Sequence, residues 1–236
     1  MTASARACFQ EADPGLSLWR RALAEGVGTL MLVLAAVGAG LAAQRAFPAL
    51  SGLVLPILAT CVSAALAGLI VTFGDVSGGH FNPLITLLQW LGGERTGRCT
   101  LAYVFAQVVG AGLGALLANG LWPMASAAMG AAASGLGFAS EVVAAGGLML
   151  VVFGCARSQR PETAPLAVAA WLMASIVATP STAYANPAIA LAAILAHGPL
   201  ALSPSAGLAF VVAELAGAAI ALGLVRLLHP ARTPAA

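Results

Sequence analysis

The sequence has very few charged residues, and it contains no lysine. Of its 236 residues only 8% are Asp, Glu, Lys or Arg, whereas 61% are hydrophobic. A soluble domain carries about a quarter charged residues because its surface faces water. This composition excludes a soluble enzyme, and a net charge of +2 is too small to indicate a nucleic-acid partner.

Cysteine is also scarce, and no pair has the spacing Cys-x-x-Cys. The four cysteines are Cys8, Cys61, Cys99 and Cys155. Neither a disulfide framework nor a thiolate metal site is indicated, and we expect no metal or cofactor. The first 17 residues lack an apolar core and so do not resemble a signal peptide. We therefore expect the first apolar run to be retained as a membrane span.

The sequence contains long segments without any charged residue. No Asp, Glu, Lys or Arg lies between Glu162 and Glu214, and a membrane-spanning helix needs about 20 mostly apolar residues. We predict an all-α membrane protein, surrounded by a lipid bilayer, with six transmembrane helices. Their predicted positions are 18–42, 50–74, 99–121, 138–156, 164–181 and 204–228.

Two apolar segments are too short to cross a membrane. Residues 82–91 and 186–197 each begin with Asn-Pro, a pair typical of a helix start because Asn caps the helix and Pro suits its first turn. Irregular backbone at membrane depth is tolerated only where it lines a wet cavity or is buried in protein. We predict that both segments are re-entrant half-helices beside a pore.

The arginines predict the orientation in the membrane. With the N-terminus in the cytoplasm, nine arginines fall on the cytoplasmic side and only Arg45 falls outside, which satisfies the positive-inside rule. Both termini are then cytoplasmic. The nine are Arg6, Arg20, Arg21, Arg95, Arg98, Arg157, Arg160, Arg226 and Arg232.

An internal repeat relates the two halves of the chain, 18–121 and 138–228. Glu25 in the first span matches Glu141 in the fourth, and Gln107 in the third span matches Glu214 in the sixth. Each half has three spans and one Asn-Pro segment. Because three is odd, the halves have inverted topology and the half-helices enter from opposite sides.

These motifs resemble the major intrinsic protein family, the aquaporins and aquaglyceroporins. The first box reads SGGHFNPLIT from Ser77, and the second reads Asn186-Pro187-Ala188. The resemblance implies a passive channel rather than an enzyme, in one domain spanning residues 1–236. It also implies water and small neutral solutes as substrates, a homotetramer, and a location in the inner (plasma) membrane.

The resemblance also implies roles for individual residues. Asn82, Pro83 and Leu84, with Asn186, Pro187 and Ala188, form the Asn-Pro boxes at the midplane of the pore. Each Asn is expected to cap its half-helix through the side-chain oxygen and to turn its amide group toward the lumen. The positive ends of two helix dipoles, each about half a charge, then oppose cations and protons.

Three further polar residues are expected to brace the pore loops. Glu25 and Glu141 would each hold the loop before a half-helix through backbone N–H groups, because buried acids in a bilayer usually have a partner or a function. His80 would brace its own loop. Two alternatives remain open: proton coupling through Glu25 or Glu141 in a secondary transporter, and an intramembrane hydrolase using His80 with a serine near Ala133-Ser134-Gly135.

The sequence departs from the family at its narrowest ring. Counting from the asparagines places this selectivity filter at Val62, Ala174, Ala183 and Ile189. Typical members have an arginine three residues after the second Asn, where this chain has Ile189. The predicted filter is wide and apolar and lacks a fixed charge, as in a bacterial branch associated with arsenic handling.

We therefore expect solutes bulkier than water, such as glycerol or arsenicals. Leu84 in the first box is expected to narrow the lumen near its centre.

Overall fold

The computed structural model describes residues 8–13, 15–123, 134–158 and 160–228, and within them it contains eight α-helices. The helices are α1 (Leu18–Ala46), α2 (Val54–Ser77), α3 (Pro83–Leu91), α4 (Gly97–Leu121), α5 (Gly135–Ala156), α6 (Ala164–Ala178), α7 (Pro187–Ala192) and α8 (Pro204–Leu228). Five of them are long and apolar enough to cross a membrane, namely α1, α2, α4, α5 and α8. The prediction of an all-α membrane protein is confirmed.

The fifth predicted span, 164–181, corresponds to α6, which is shorter than expected. It has 15 residues and ends at Ala178 instead of 181. The reason is local, because Thr179 precedes Pro180 and a residue before proline disfavours the helical conformation. Thr179 is accordingly extended, with φ −116° and ψ 138°. A short 3₁₀ turn, Pro161–Thr163, precedes α6 and lengthens the segment at its start.

The two Asn-Pro segments form the short helices α3 and α7. Helix α3 has nearly the predicted extent, whereas α7 has only six residues and ends well before the predicted end at 197. After Ala192 the chain tightens into i→i+3 hydrogen bonds, such as Leu195 N to Ala192 O at 2.9 Å. Such 3₁₀ turns often end α-helices, which explains the shortening.

The two halves of the chain pack in the same way. Helix α1 packs on α4 as α5 packs on α8, while α3 contacts α8 and α7 contacts α4, so each half-helix touches the opposite half. Small residues allow this close approach between helices. A methyl group on Gly114 would lie 2.5 Å from Leu30 O, so no side chain fits between α1 and α4 there.

One end of the bundle carries most of the arginines. We call it the arginine-rich face; it includes the start of α1, the loop before α4 with the start of α4, the end of α5 with the loop after it, and the end of α8. The arginines at these chain positions are Arg20, Arg21, Arg95, Arg98, Arg157, Arg160 and Arg226. Arg45 lies at the opposite end of α1. Arg6 and Arg232 lie outside the described residues.

Candidate functional site

A narrow cavity runs between the two halves, from the arginine-rich face toward the opposite end. Its volume is about 50 Å³, room for about three to five water molecules in a file. Its wall is almost entirely apolar. The residues that line it include Phe9, Val62, Ile70, Gly79, His80, Phe81, Asn82, Ile85, Val168, Leu172, Ile176, Thr182, Ala183, Tyr184, Ala185, Asn186, Ile189 and Leu200.

The two box asparagines cap their half-helices and also link them to each other. The side-chain oxygen of Asn82 accepts from Leu84 N at 2.9 Å, and that of Asn186 accepts from Ala188 N at 3.0 Å. Both predicted caps are confirmed. Pro83 and Pro187 each occupy the first helical turn.

The amide groups of these asparagines reach across the cavity. Asn82 Nδ2 donates to Ala185 O at 2.9 Å, and Asn186 Nδ2 donates to Phe81 O at 2.7 Å. An amide NH₂ has two donor hydrogens, so one of them is used in this reciprocal link. Both residues also line the cavity. The asparagines therefore fasten one half of the repeat to the other at the point where they can meet a solute.

The residue three positions after each asparagine faces the cavity, whereas the residue two positions after it does not. Ile85 and Ile189 line the wall, but Leu84 and Ala188 are fully buried away from it. Residues i and i+3 share one side of a helix. The expectation that Leu84 narrows the lumen is therefore wrong. The side chain that faces the lumen there is Ile85, which the repeat symmetry with Ile189 could have identified.

The loops that precede the half-helices have an unusual backbone. Phe81, Thr182, Ala183 and Ala185 all have positive φ, between 47° and 65°. This left-handed region is uncommon for residues other than glycine, and such backbone persists only where the surroundings hold it. Gly28 on α1 provides the space, because a side chain there would overlap the Phe81 ring.

Glu25 holds the first of these loops. One carboxyl oxygen accepts from His80 N at 2.9 Å and from Ser77 Oγ at 2.6 Å. The other accepts from Phe81 N and from Gln107 Nε2, both at 2.7 Å. Glu25 is completely buried, and all four donors come from three different parts of the chain. Its geometry is that of a loop brace.

Glu141 and Glu214 hold the second loop. Glu141 accepts from Tyr184 N at 3.0 Å and from Ala185 N at 2.7 Å, and Glu214 accepts from Asn186 N at 2.9 Å. The second oxygen of Glu214 has no hydrogen-bond partner within the described part of the chain. The repeat thus brings a carboxyl group to each loop, with Glu214 standing where the first half has Gln107.

The geometry bears on the two alternative functions. Glu25 and Glu141 do not line the cavity, and both are occupied by backbone donors, so nothing in their placement favours proton coupling to a solute. Ser134 caps the start of α5, accepting from Gly137 N at 3.0 Å. It thus lies at the end of α5 away from the arginine-rich face and from His80. Ala133 lies outside the described residues.

Three of the four counted filter positions come together. Val62, Ala183 and Ile189 line the cavity, and the fourth, Ala174, is exposed on the outside of α6. Leu172 and Ile176 face the cavity instead. They are four residues apart and share one side of the helix, whereas a residue two positions from either points away. The count along the sequence therefore places the α6 position on the wrong side.

His80 braces its loop and also contacts the N-terminal segment. Its Nδ1 lies 2.8 Å from Thr86 Oγ1, and its Nε2 lies 3.0 Å from Phe9 O. Because a carbonyl oxygen only accepts, this network assigns the hydrogen to Nε2. Sequence reasoning missed Phe9, although it is the only aromatic residue before Trp19. Within the described residues, no cluster of His, Cys, Asp and Glu could hold a metal ion.

An inverted pair of helix bundles with two capped half-helices meeting at a narrow central cavity defines a membrane channel. The family profile described as "Major intrinsic protein" matches residues 14–182. The chain belongs to this family, whose members are passive channels and not enzymes, and the predicted resemblance is confirmed.

Individual relatives agree with this assignment. The chain is 39% identical to "Aquaglyceroporin AqpS" of Rhizobium meliloti (strain 1021) over 218 residues, which cover 91% of this chain and 93% of the relative. It is 30% identical to "Aquaporin Z" of Photorhabdus laumondii, covering 89% and 97%. The structure of the aquaglyceroporin from Plasmodium falciparum superposes with a TM-score of 0.71 at 20% identity, covering 91% of this chain and 98% of that one, which supports the fold.

Proposed function

We propose that this channel conducts water and neutral solutes bulkier than water, with glycerol and arsenicals such as arsenite as candidates. The observation that carries the proposal is Ile189. It lines the cavity three residues after Asn186, where typical family members have arginine. The aquaglyceroporin name of one relative is consistent with such solutes.

The cavity-lining residues that we assign to the ring around Ile189 are all aliphatic. Val62 and Ala183 line the same cavity, and Leu172 and Ile176 provide the α6 side in place of Ala174. None of these side chains has a hydrogen-bond donor, and none is charged. A guanidinium group would fill part of the ring, donate hydrogen bonds and repel cations. Its absence leaves a wider ring that binds polar solutes less and selects them less by charge.

Exclusion of ions then rests on the centre of the pore. The N-termini of α3 and α7 meet there, and Asn82 and Asn186 hold them together. Positive helix ends disfavour cations, and the apolar wall offers no replacement for the hydration shell of an ion. Neutral solutes lose less hydration free energy than ions do when they leave water, so they pass more easily.

The placement in the cell completes the proposal. Because basic residues favour the cytoplasmic side, the arginine-rich face is the cytoplasmic one, and both termini are in the cytoplasm. The membrane is the inner (plasma) membrane, and the assembly is a homotetramer with one pore per subunit. Chemical cross-linking in the membrane tests the homotetramer, and protease protection tests the cytoplasmic position of the termini.

Replacement of the filter residue tests the solute preference. Ile189→Arg restores bulk and charge at the ring, and Ile189→Leu is the matched control that keeps it aliphatic. A barrier higher by about 1.4 kcal/mol lowers a rate tenfold, and we expect at least this loss for glycerol and arsenite in Ile189→Arg. Water flux should fall much less. The measurement is swelling of proteoliposomes in each solute, with stopped-flow light scattering for water.

Two results would contradict the proposal. The first is an equal loss of water and glycerol flux in Ile189→Arg, because the ring would then not select by size. The second is a protein that conducts water but neither glycerol nor arsenite, both in the wild type and in a variant that lacks residues 2–13. The control Ile189→Leu should conduct all three solutes nearly as the wild type does.

A further inference from the structure

The segment from Cys8 to Asp13 folds against the mouth of the cavity at the arginine-rich face. Its backbone is tied to α2, with Ala12 N donating to Asp75 O at 2.9 Å. Glu11 forms ion pairs with Arg21 on α1 and, at 2.9 Å, with Arg95 before α4. The segment therefore connects three elements that surround the opening, although it belongs to none of them.

The backbone of Phe9 is the most strongly held point of the segment. Its carbonyl oxygen lies 3.0 Å from His80 Nε2, 2.8 Å from Gln89 Nε2 and 3.3 Å from Arg95 Nη2. These three groups come from the pore loop, from α3 and from the loop before α4, respectively. Phe9 also has a φ of 62°, a conformation that a residue with a large side chain rarely adopts unless its surroundings hold it.

Phe9 lies at the end of the central cavity near the arginine-rich face. The residue is only 5% exposed, and it lines the central cavity beside Ile70, Gly79 and His80. The cavity volume of about 50 Å³ suffices for a few water molecules. Phe9 therefore takes up part of the limited space through which a solute would enter from the arginine-rich face.

A second cavity adjoins the outer side of the segment. Its volume is about 340 Å³, it lies between the segment, the end of α2 and the start of α6, and Cys8, Phe9, Ile70, Gly74 and Pro165 are among its lining residues. This space gives the segment room to move outward. Polar contacts hold the segment at Phe9 O, Ala12 N and Glu11, and longer ones run from Gln10 Nε2 to Glu94 at 3.5 Å and from Cys8 Sγ to Cys155 O at 3.7 Å. Such contacts can exchange with water.

We propose that residues 8–13 form a removable plug in which the Phe9 side chain closes the mouth of the pore at the arginine-rich face. This proposal rests on the proposed function, because a plug has a meaning only in a conducting channel. Release of the segment withdraws the aromatic ring of Phe9 and opens the pore at this face. Phe9 thereby forms a second constriction, at the other end of the pore from the filter around Ile189.

Removal of the Phe9 aromatic ring by substitution gives the first test. The minor state of a two-state protein is populated at about 0.1–10%, so Phe9→Ala should raise glycerol permeability about tenfold or more. Deletion of residues 2–13 should do the same, and Phe9→Trp should not. Ala12→Ser is the matched control, because Ala12 is exposed on the same segment and its hydrogen bond to Asp75 O comes from the backbone, which the substitution keeps. The measurement is glycerol uptake by proteoliposomes containing equal amounts of protein.

The chemistry of Cys8 gives a second test that does not depend on flux. Burial, with Cys155 as a neighbour, raises the pKa of the Cys8 thiol to about 11 from an ordinary 9.0. Only the thiolate reacts with maleimide, and two pKa units correspond to about a hundredfold in thiolate at pH 7.5. Glu11→Gln weakens both ion pairs, so N-ethylmaleimide should label Cys8 up to about a hundredfold faster in that variant. Mass spectrometry of the Cys8 peptide measures the rate, with Ala12→Ser again as control.

The outcomes separate the two proposals. Wild-type flux that Phe9→Ala and the deletion leave unchanged would overturn the plug and leave the channel function standing. Glycerol flux at the level of protein-free liposomes in every variant would overturn the proposed function and the plug with it. Equal labelling of Cys8 in Glu11→Gln and the wild type would also overturn the plug. A rise in both flux and labelling supports it.

Discussion

Glu25→Gln should destabilise the protein, although the two side chains have nearly the same shape. The carboxyl group of Glu25 accepts on both oxygens, from His80 N at 2.9 Å and from Phe81 N at 2.7 Å. A glutamine amide has one accepting oxygen and one donating NH₂. The hydroxyl of Ser77 and the amide of Gln107 can reorient, but the two backbone N–H groups cannot. One of them must therefore face the NH₂.

The size of the effect follows from this one unpaired group. A buried donor without a partner costs about 1–3 kcal/mol. For a chain of this size, each kcal/mol lowers Tm by about 2–4 °C, so we expect a decrease of roughly 2–12 °C. The measurement is thermal unfolding in detergent, followed by intrinsic fluorescence and by the loss of the monodisperse peak in size-exclusion chromatography.

Glu214→Gln is the matched control in the other half of the repeat. Only one backbone donor reaches Glu214, Asn186 N at 2.9 Å, and its second oxygen has no partner among the described residues. The new amide can accept from Asn186 and turn its NH₂ toward Glu141, as Gln107 does toward Glu25. We expect Tm to be unchanged or higher. An equal decrease in Tm in both variants would refute the reasoning. It would show that loss of the buried carboxyl group, and not the number of backbone donors it accepts from, decides the loss of stability.

Two further substitutions test the helix packing and the central link. Gly114→Ala should lower Tm, because its methyl group would lie 2.5 Å from Leu30 O. Gly112→Ala should be nearly neutral, because its methyl group would lie 3.7 Å from the flexible side chain of Leu195. Similar Tm values for the two variants would argue against close contact between α1 and α4. Asn186→Asp should lower Tm, because it leaves buried Phe81 O without its donor at a cost of about 1–3 kcal/mol, and it should change glycerol flux. Asn119→Asp changes a half-buried amide with similar backbone contacts, where water can replace the lost donor, and should do neither.

Much of the fold could be predicted from the sequence because the signals are local. Asn-Pro pairs predicted both half-helices and their caps, and the glutamates at matching positions predicted the repeat. The end of α6 could also have been predicted, since Thr179 precedes Pro180. The early end of α7 could not, because the apolar sequence continues unbroken to Ala196 and only tertiary contacts favour the tighter turn.

The wall of the pore was predicted less well, because it depends on rotation about a helix axis. An error of two residues along α6 moves the chosen position from the cavity side of the helix to its outer side. For this reason the count along the sequence selected Ala174 instead of Leu172 or Ile176. The plug residue Phe9 lies in a polar segment with no periodic pattern, so no local signal connected it to His80, 71 residues away along the chain.

The residues that brace the pore and the residues that line its filter are chemically separate. Glu25, Glu141 and the box asparagines carry the polar contacts that fix the loops, whereas Ile189 and Val62 have aliphatic side chains that cannot take part in them. Solute preference can therefore change at the filter without loss of the loop structure. A guanidinium introduced at Ile189 must find acceptors that the isoleucine side chain does not use, and these are water in the cavity and loop carbonyl oxygens with a lone pair left over. Water bound in this way stays in the ring, so the same substitution that narrows the ring also holds water in it.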